Sequence, residues 1–300
     1  MKSYIKWLSL FILTLIWGSS FILIKKGLQE FSPYQVGALR MIIASVSLLL
    51  IGGYRLKEIP KSLWKWIILC GFLGSFFPMF LFPLAETQVE SAIAGVLNAL
   101  TPLFVFIFGL FFFKARYTKI NFLGLLISFS ATIALIVIPN LNQSSSAVLG
   151  KETSIPHALL IVFATFLYAI SSLIYKKKLT GFNQITITTA VFSTLLIPGI
   201  LVLISTGFFT QFHATTAQNH SLFFVFLLGF MGSGVAMLLY NRLIQSSTAI
   251  FASSVTYLMP MVSLMWGIQD GEQIQFFHLI CFALILIGVY LINYKKKAEN

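Results

Sequence analysis

The sequence predicts an all-α polytopic membrane protein, with ten transmembrane helices arranged as two inverted five-helix repeats and both termini in the cytoplasm. Three observations predict it. First, 58% of the 300 residues are hydrophobic and only 9% are charged, whereas soluble chains average about 25% charged residues. Too little polar surface remains to cover a soluble core of this size, and the mean hydropathy of +0.93 agrees. Second, the chain contains ten apolar runs near the roughly 20 residues that a spanning helix requires. Third, short blocks of the first half recur in the second half at near-constant offsets.

The first run, 7–25, follows Lys2 and Lys6. It is longer than a signal-peptide core of about 7–15 residues, and no A-x-A-like cleavage site follows it, so it predicts a retained helix. SPYQ at 32–35 reads as a turn before the second run, 34–53. The polar RLKEIPK at 55–61 leads to the third, 64–85, and the fourth and fifth cover 90–113 and 119–138. PNLNQSSS at 139–146 opens the longest polar stretch between the halves. The chain therefore divides into a first repeat at 1–140, a linker at 141–154 and a second repeat at 155–294, followed by a basic tail at 295–300. Runs at 157–176, 184–206, 221–241, 249–269 and 275–294 fill the second repeat.

A net charge of +12 in a soluble protein suggests nucleic acid. No basic stripe lies on a soluble face here, so nucleic acid is not an expected partner. The cations instead follow the positive-inside rule. The N-terminus, the loops near Arg55–Lys65, Lys114–Lys119 and Lys176–Lys178, Arg242 and the tail carry most of the 20 Lys and Arg residues on one side. Lys25, Lys26 and Lys151 lie on the other, together with Glu30, Glu86, Glu90, Glu152, Asp270 and Glu272.

The recurring blocks begin with WGSSFILIKKGL at 17–28 and YAISSLIYKKKL at 168–179, offset by 151. FLGS at 72–75 matches FMGS at 230–233, and Pro102 matches Pro260, both offset by 158. Five helices per unit is an odd number, so the second unit enters the membrane from the opposite face. Inverted repeats of this kind mark secondary transporters, with the solute site between the halves.

Polar groups within a bilayer are costly and each requires a reason. Trp17 with Ser20, and Tyr168 with Ser171, form one candidate solute-binding set: the aromatics stack on a solute and the hydroxyls orient it. The competing reading is close helix contact through small residues. Asn98 and Thr101, on one face before Pro102, and Thr256 and Tyr257, before Pro260, form a second set at two proline helix breaks. A proline kink satisfied by neighbouring helices is the alternative. Arg40, about 8 Å into the second run at 1.5 Å per residue, either snorkels to headgroups or pairs with an anionic group. Lys25 either snorkels as well or faces an outer vestibule. Tyr240 and Arg242 are candidates for an inner gate or an interface anchor.

WGSSF, SPYQVGALRMIIA, LNALTPLFVFIFGL and SVTYLMPMVSLMWGIQDGEQI running into LILIGVYLIN together resemble the EamA-type family of the drug/metabolite transporter superfamily. The resemblance covers essentially the whole chain as two EamA-like units. It implies a ten-helix bundle in the bacterial inner membrane that moves small organic solutes such as amino acids, often outward. The family often carries a glutamate just after the fourth span of each unit. Glu272 matches in the second unit, and Lys114 stands in its place in the first.

Other classes fit poorly. His157, His213, His220 and His278 lie in loops or near span ends, away from any intramembrane serine, and Asp270 is the only aspartate. An intramembrane protease or an aspartate-dependent prenyltransferase is therefore not expected. Cys70 and Cys281 lie in apolar runs without metal spacing, so no metal or cofactor is expected. No carboxylate is read deep in a span, which disfavours proton exchange through a buried acid. The expected partners are a small-molecule metabolite and membrane lipids, and a monomer is compatible with the sequence. A carrier of lipid-linked, nucleobase or cofactor-type substrates is the alternative, and a membrane-embedded enzyme or scaffold the remote one.

Overall fold

The computed structural model describes residues 3–113, 118–141, 154–179, 181–246 and 255–293. Among these, all regular structure is helical. Eight described helical segments are long and apolar enough to cross a membrane: Tyr4–Gly27, Pro33–Glu58, Lys61–Glu86, Ser91–Phe108, Lys119–Ile138, Ile155–Lys178, Gln184–Ser205 and Thr216–Tyr240. Leu258–Gln269 and Phe276–Ile292 are shorter apolar helices. The expected linker at 141–154 and the basic tail lie almost entirely outside the described residues.

Local sequence explains where the helices start and bend. Helices α1 (Ser3–Gly18) and α2 (Ser20–Gly27) form the first span, with a slight break at Ser19. SPYQ starts a helix rather than making a free turn: Pro33 opens α3 (Pro33–Gly52), and Ser32 forms a capping box with Gln35. The Gln35 N–H donates to Ser32 Oγ at 3.3 Å, and the Ser32 N–H donates to Gln35 Oε1 at 2.9 Å.

The third span is α4 (Trp64–Gly71), a π-helical turn at Phe72–Phe76, and α5 (Phe77–Glu86). The fourth is broken into α6 (Ser91–Asn98) and α7 (Thr101–Phe113). Then follow α8 (Lys119–Leu141), α9 (Ile155–Lys178), α10 (Gln184–Ser205) and the short α11 (Phe208–Gln211). The next span is α12 (Thr216–Leu227), a second π-helical stretch at Leu228–Val235, and α13 (Ala236–Ser246). Helices α14 (Val255–Gln269) and α15 (Phe276–Asn293) complete the bundle.

Both π-helical stretches fall on the recurring blocks, FLGS and FMGS. Such insertions cluster at functional sites, and here each meets a helix from the other half. A side chain on Gly74 would collide with Ser171 Oγ, and one on Gly232 would sit 3.2 Å from Ser20 Oγ. Gly71 faces the Val191 carbonyl and Thr194, while Gly229 faces the Arg40 carbonyl and Ile43. The glycines are offset by 158 and their partners by 151, the two offsets of the sequence repeat.

In lipid, helices associate through close packing of small residues and interhelical hydrogen bonds. Ser45 donates to the Phe192 carbonyl at 2.8 Å, joining α3 to α10. Gly124 and Gly288 bring α8 and α15 together, and the Asn121 amide donates to the Leu291 and Ile292 carbonyls at 3.0 and 2.9 Å. Large apolar side chains such as Leu50, Ile197 and Phe276 cover the outside.

Candidate functional site

Trp17, two residues before the slight break at Ser19, reaches the second half. Its indole Nε1 donates to the Gly232 carbonyl at 2.9 Å, and its ring lies 5.0 Å from that of Tyr240. Gly232 belongs to the π-helical stretch Leu228–Val235, so Trp17 bonds directly to that irregular turn. Ser20, one turn on, donates to the Ile16 carbonyl at 3.1 Å and packs against Gly232. Trp17 and Ser20 of the first span thus meet Gly232 on the π-helical stretch and, through Trp17, Tyr240 on α13.

The second half supplies a counterpart. Tyr168 on α9 stacks on Phe82 at 6.1 Å, and Phe82 lies 5.8 Å from Phe21. Ser171 donates to the Cys70 carbonyl at 3.2 Å. Cys70, Gly74, Ser75, Ser171, Tyr175 and Phe192 line a cavity of about 50 Å³. That is well below the roughly 300–1,000 Å³ of small-molecule sites, so the bundle is nearly closed around it.

Asn98 and Thr101 lie at the break between α6 and α7. Thr101 Oγ1 donates to the Asn98 carbonyl at 3.0 Å, and no described residue hydrogen-bonds the Asn98 amide. Pro102 is the second residue of α7, so the break falls just before it. Pro260 behaves differently, sitting inside the continuous α14. Thr256 lies in the first turn of the described part of α14, and the Tyr257 side chain is outside the described residues. Arg242 is exposed near the end of α13.

Arg40 does not snorkel to headgroups. It is 9% exposed, and its Nε donates to Ser233 Oγ at 3.0 Å. Its charge also reaches the Tyr168 hydroxyl and the Glu86 carboxyl. Glu86 was expected in a loop. It is instead the last residue of α5, 8% exposed, and both carboxyl oxygens are buried without a hydrogen-bond partner. A carboxylate therefore lies buried at a span end, although none lies deep in a span among the described residues.

Lys25 is paired with two carboxylates of the second half. Its Nζ lies 2.8 Å from Glu272 Oε1 and 2.7 Å from Asp270 Oδ2, while Lys26 pairs with Asp270. Burial of Asp270 pushes its carboxyl up, but the Lys25 and Lys26 ammonium groups outweigh this and hold it below the usual carboxylate range. Glu272 also caps α6. Its Oε1 accepts from the Ser91 N–H at 3.0 Å and the Ser91 hydroxyl at 2.6 Å, and its Oε2 accepts from the Ala92 N–H at 2.9 Å. A carboxylate at a helix N-terminus is favoured by the orphan N–H groups and the helix dipole. This clamp ties the first and fourth spans to the loop between α14 and α15.

Sequence reasoning singled out Lys25 and Glu272 but not their pairing, and it did not find the buried position of Glu86 or the role of Ser233. The usable signal for Glu86 was a lone carboxylate at the end of an apolar run, one loop away from a span carrying an arginine.

The EamA-like transporter family model matches residues 5–137 and 155–294. An uncharacterized transporter of Archaeoglobus fulgidus is 26% identical over 298 residues, covering 97% of this chain and 99% of that protein. The uncharacterized inner membrane transporter YedA of Escherichia coli K12 is 26% identical, over 96% and 90% of the two chains. Protein PagO of Salmonella typhimurium is 24% identical, over 93% and 90%. A solved crystal structure shares the fold with a TM-score of 0.64 at 18% identity, over 98% of this chain and 97% of that one.

Proposed function

The chain belongs to the EamA-like transporter family, and on that premise we propose that this membrane transporter is an inner-membrane exporter of amino acids or similar neutral or zwitterionic metabolites. It works by alternating access between two inverted five-helix repeats, with ten spans and both termini cytoplasmic. The carrying observation is the matched pair of crossings, Ser20 on Gly232 and Ser171 on Gly74. Each π-helical stretch receives the bent or serine-bearing helix of the opposite half, which supports two equivalent units facing each other.

Trp17, Ser20, Tyr168 and Ser171 line the path at that crossing, with Asn98, Thr101, Thr256 and Tyr257 contributed by the fourth and ninth spans. The free Asn98 amide supports its assignment to the solute path, because an idle amide within a span is costly. With positive charges inside, Lys25 and Glu272 stand at the outer face and form the outer gate. Tyr240 with Trp17 narrows the inner side. The small cavity around Ser171 corresponds to a nearly occluded stage of the cycle.

Purified protein in liposomes tests the reading. A panel of labelled amino acids, nucleobases and lipid-linked sugars should include at least one solute whose flux exceeds that of protein-free vesicles and saturates. Flux confined to the lipid-linked sugars would favour the alternative substrate class.

A further inference from the structure

Two buried ionisable side chains of opposite type, Arg40 and Glu86, lie on helices that pack against each other, α3 and α5. Among the described residues, no ion pair joins Arg40 to Glu86. Arg40 has one described hydrogen bond, through Nε to Ser233, which leaves its terminal nitrogens without a described partner. Both Glu86 oxygens are buried and unpartnered. The charges of Arg40 and Lys25 nevertheless reach the Glu86 carboxyl.

Helix geometry makes the two side chains converge. Side chains tilt toward the N-terminus of their own helix. Helix α3 begins at the membrane face where α5 ends, so Arg40 extends toward that face and Glu86 extends away from it. Unpaired charges inside a membrane protein are costly and mark function. An arginine with one described hydrogen bond and a carboxyl with none, carried by adjoining helices, match a small ligand bearing both complementary groups.

We propose that Arg40 and Glu86 form a two-pole subsite that binds the carboxylate and the ammonium group of one amphoteric solute such as an α-amino acid. This rests on the transport reading and adds the residues that select the solute's charged groups. The Arg40 fork donates to the carboxylate, a pairing that guanidinium geometry favours. Glu86 accepts from the ammonium. Phe82, one turn before Glu86 and stacked on Tyr168, offers an apolar wall for the solute's side chain. The Glu86 oxygens are sealed from solvent in this structure, and the Lys25–Glu272 clamp acts on the same carboxyl, so in this proposal the subsite opens outward when the clamp releases.

The test uses full-length protein with L-leucine, L-phenylalanine and L-threonine, the amide of each, and the α-hydroxy acid counterpart of each. Wild type should bind at least one amino acid about tenfold or more tightly than both analogues, the factor that a charge-assisted hydrogen bond supplies. Glu86→Gln should bring that amino acid to within about threefold of its hydroxy acid, and Arg40→Gln to within about threefold of its amide, as each pole's contribution is lost. Glu86→Asp keeps the charge and should keep the discrimination, which separates lost recognition from a folding defect. A Glu86→Gln protein with wild-type discrimination overturns the proposal, as does one altered only in the pH dependence of flux. A wild type that moves other metabolites but binds none of these amino acids also overturns it and leaves the transport reading standing. A wild type that moves no solute overturns both.

Discussion

Lys25 Nζ lies 2.8 Å from Glu272 Oε1, and the same carboxylate caps the first turn of α6. One side chain from the second half therefore holds two helices of the first. Removing it should release the backbone N–H groups of Ser91 and Ala92 together with the lysine. Glu272→Ala is expected to destabilise the protein by about 1–2 kcal/mol, the usual cost of a lost helix cap. Thermal unfolding in detergent measures this. A cysteine placed at Ser91 should react faster with a water-soluble thiol reagent in that background.

Asp270 gives the clamp a pH dependence whose sign is fixed. Its carboxyl is held below the usual range by Lys25 and Lys26, against the upward push of burial. A depressed carboxylate contributes stability above its ordinary titration range, near pH 4, and loses it as the pH falls through its folded value. The melting temperature of wild type should fall below about pH 4 more steeply than that of Asp270→Asn. At pH 7 the variant should melt lower than wild type. Equal curves for the two proteins would remove Asp270 from the clamp.

The crossing of α9 over the first π-helical stretch leaves no space at Gly74, where any side chain meets Ser171 Oγ. Gly74→Ala should cost about 1–3 kcal/mol through overpacking. Adding Ser171→Gly should recover most of that loss, giving a coupling readable in a double-mutant cycle. Gly232→Ala, with Ser20 Oγ at 3.2 Å, should cost less.

Trp17 touches the second half in two ways, and they can be separated. Trp17→Phe removes the hydrogen bond to the Gly232 carbonyl but keeps a ring beside Tyr240. Solute flux should fall about two- to tenfold, the range of a lost neutral hydrogen bond. Trp17→Ala loses both contacts and should fall further.

Asn98→Ala removes an amide that no described residue binds. Insertion and melting temperature should stay at wild type while the apparent affinity for solute drops. Flux against solute concentration checks it, and an unchanged curve would take Asn98 out of the path.

Much of the architecture was legible because lipid imposes a simple rule of length and hydropathy. The described spans follow the apolar runs closely, although the second continues past its run as far as Glu58. The FLGS and FMGS echo was also visible, but its π-helical shape was not, because that depends on the glycine contacts with the opposite half. Trp17 and Tyr240 were both named from sequence, without their contact. The Lys25–Glu272 pair joins residues 247 apart, and nothing local in either segment announces the other. The burial of Glu86 was illegible for a related reason. Whether a terminal carboxylate faces water or the bundle depends on the helix's rotation, which is set by its neighbours. The break at Asn98 was expected from Pro102, whereas Pro260 sits within an unbroken helix despite the same local signal.

Flux through the reconstituted protein tests the central claim most directly. Proteoliposomes loaded with labelled amino acids and other small metabolites should release at least one of them faster than protein-free vesicles, with saturation, and more slowly when Trp17 is replaced by Ala. Release of every solute at the protein-free rate would contradict the account.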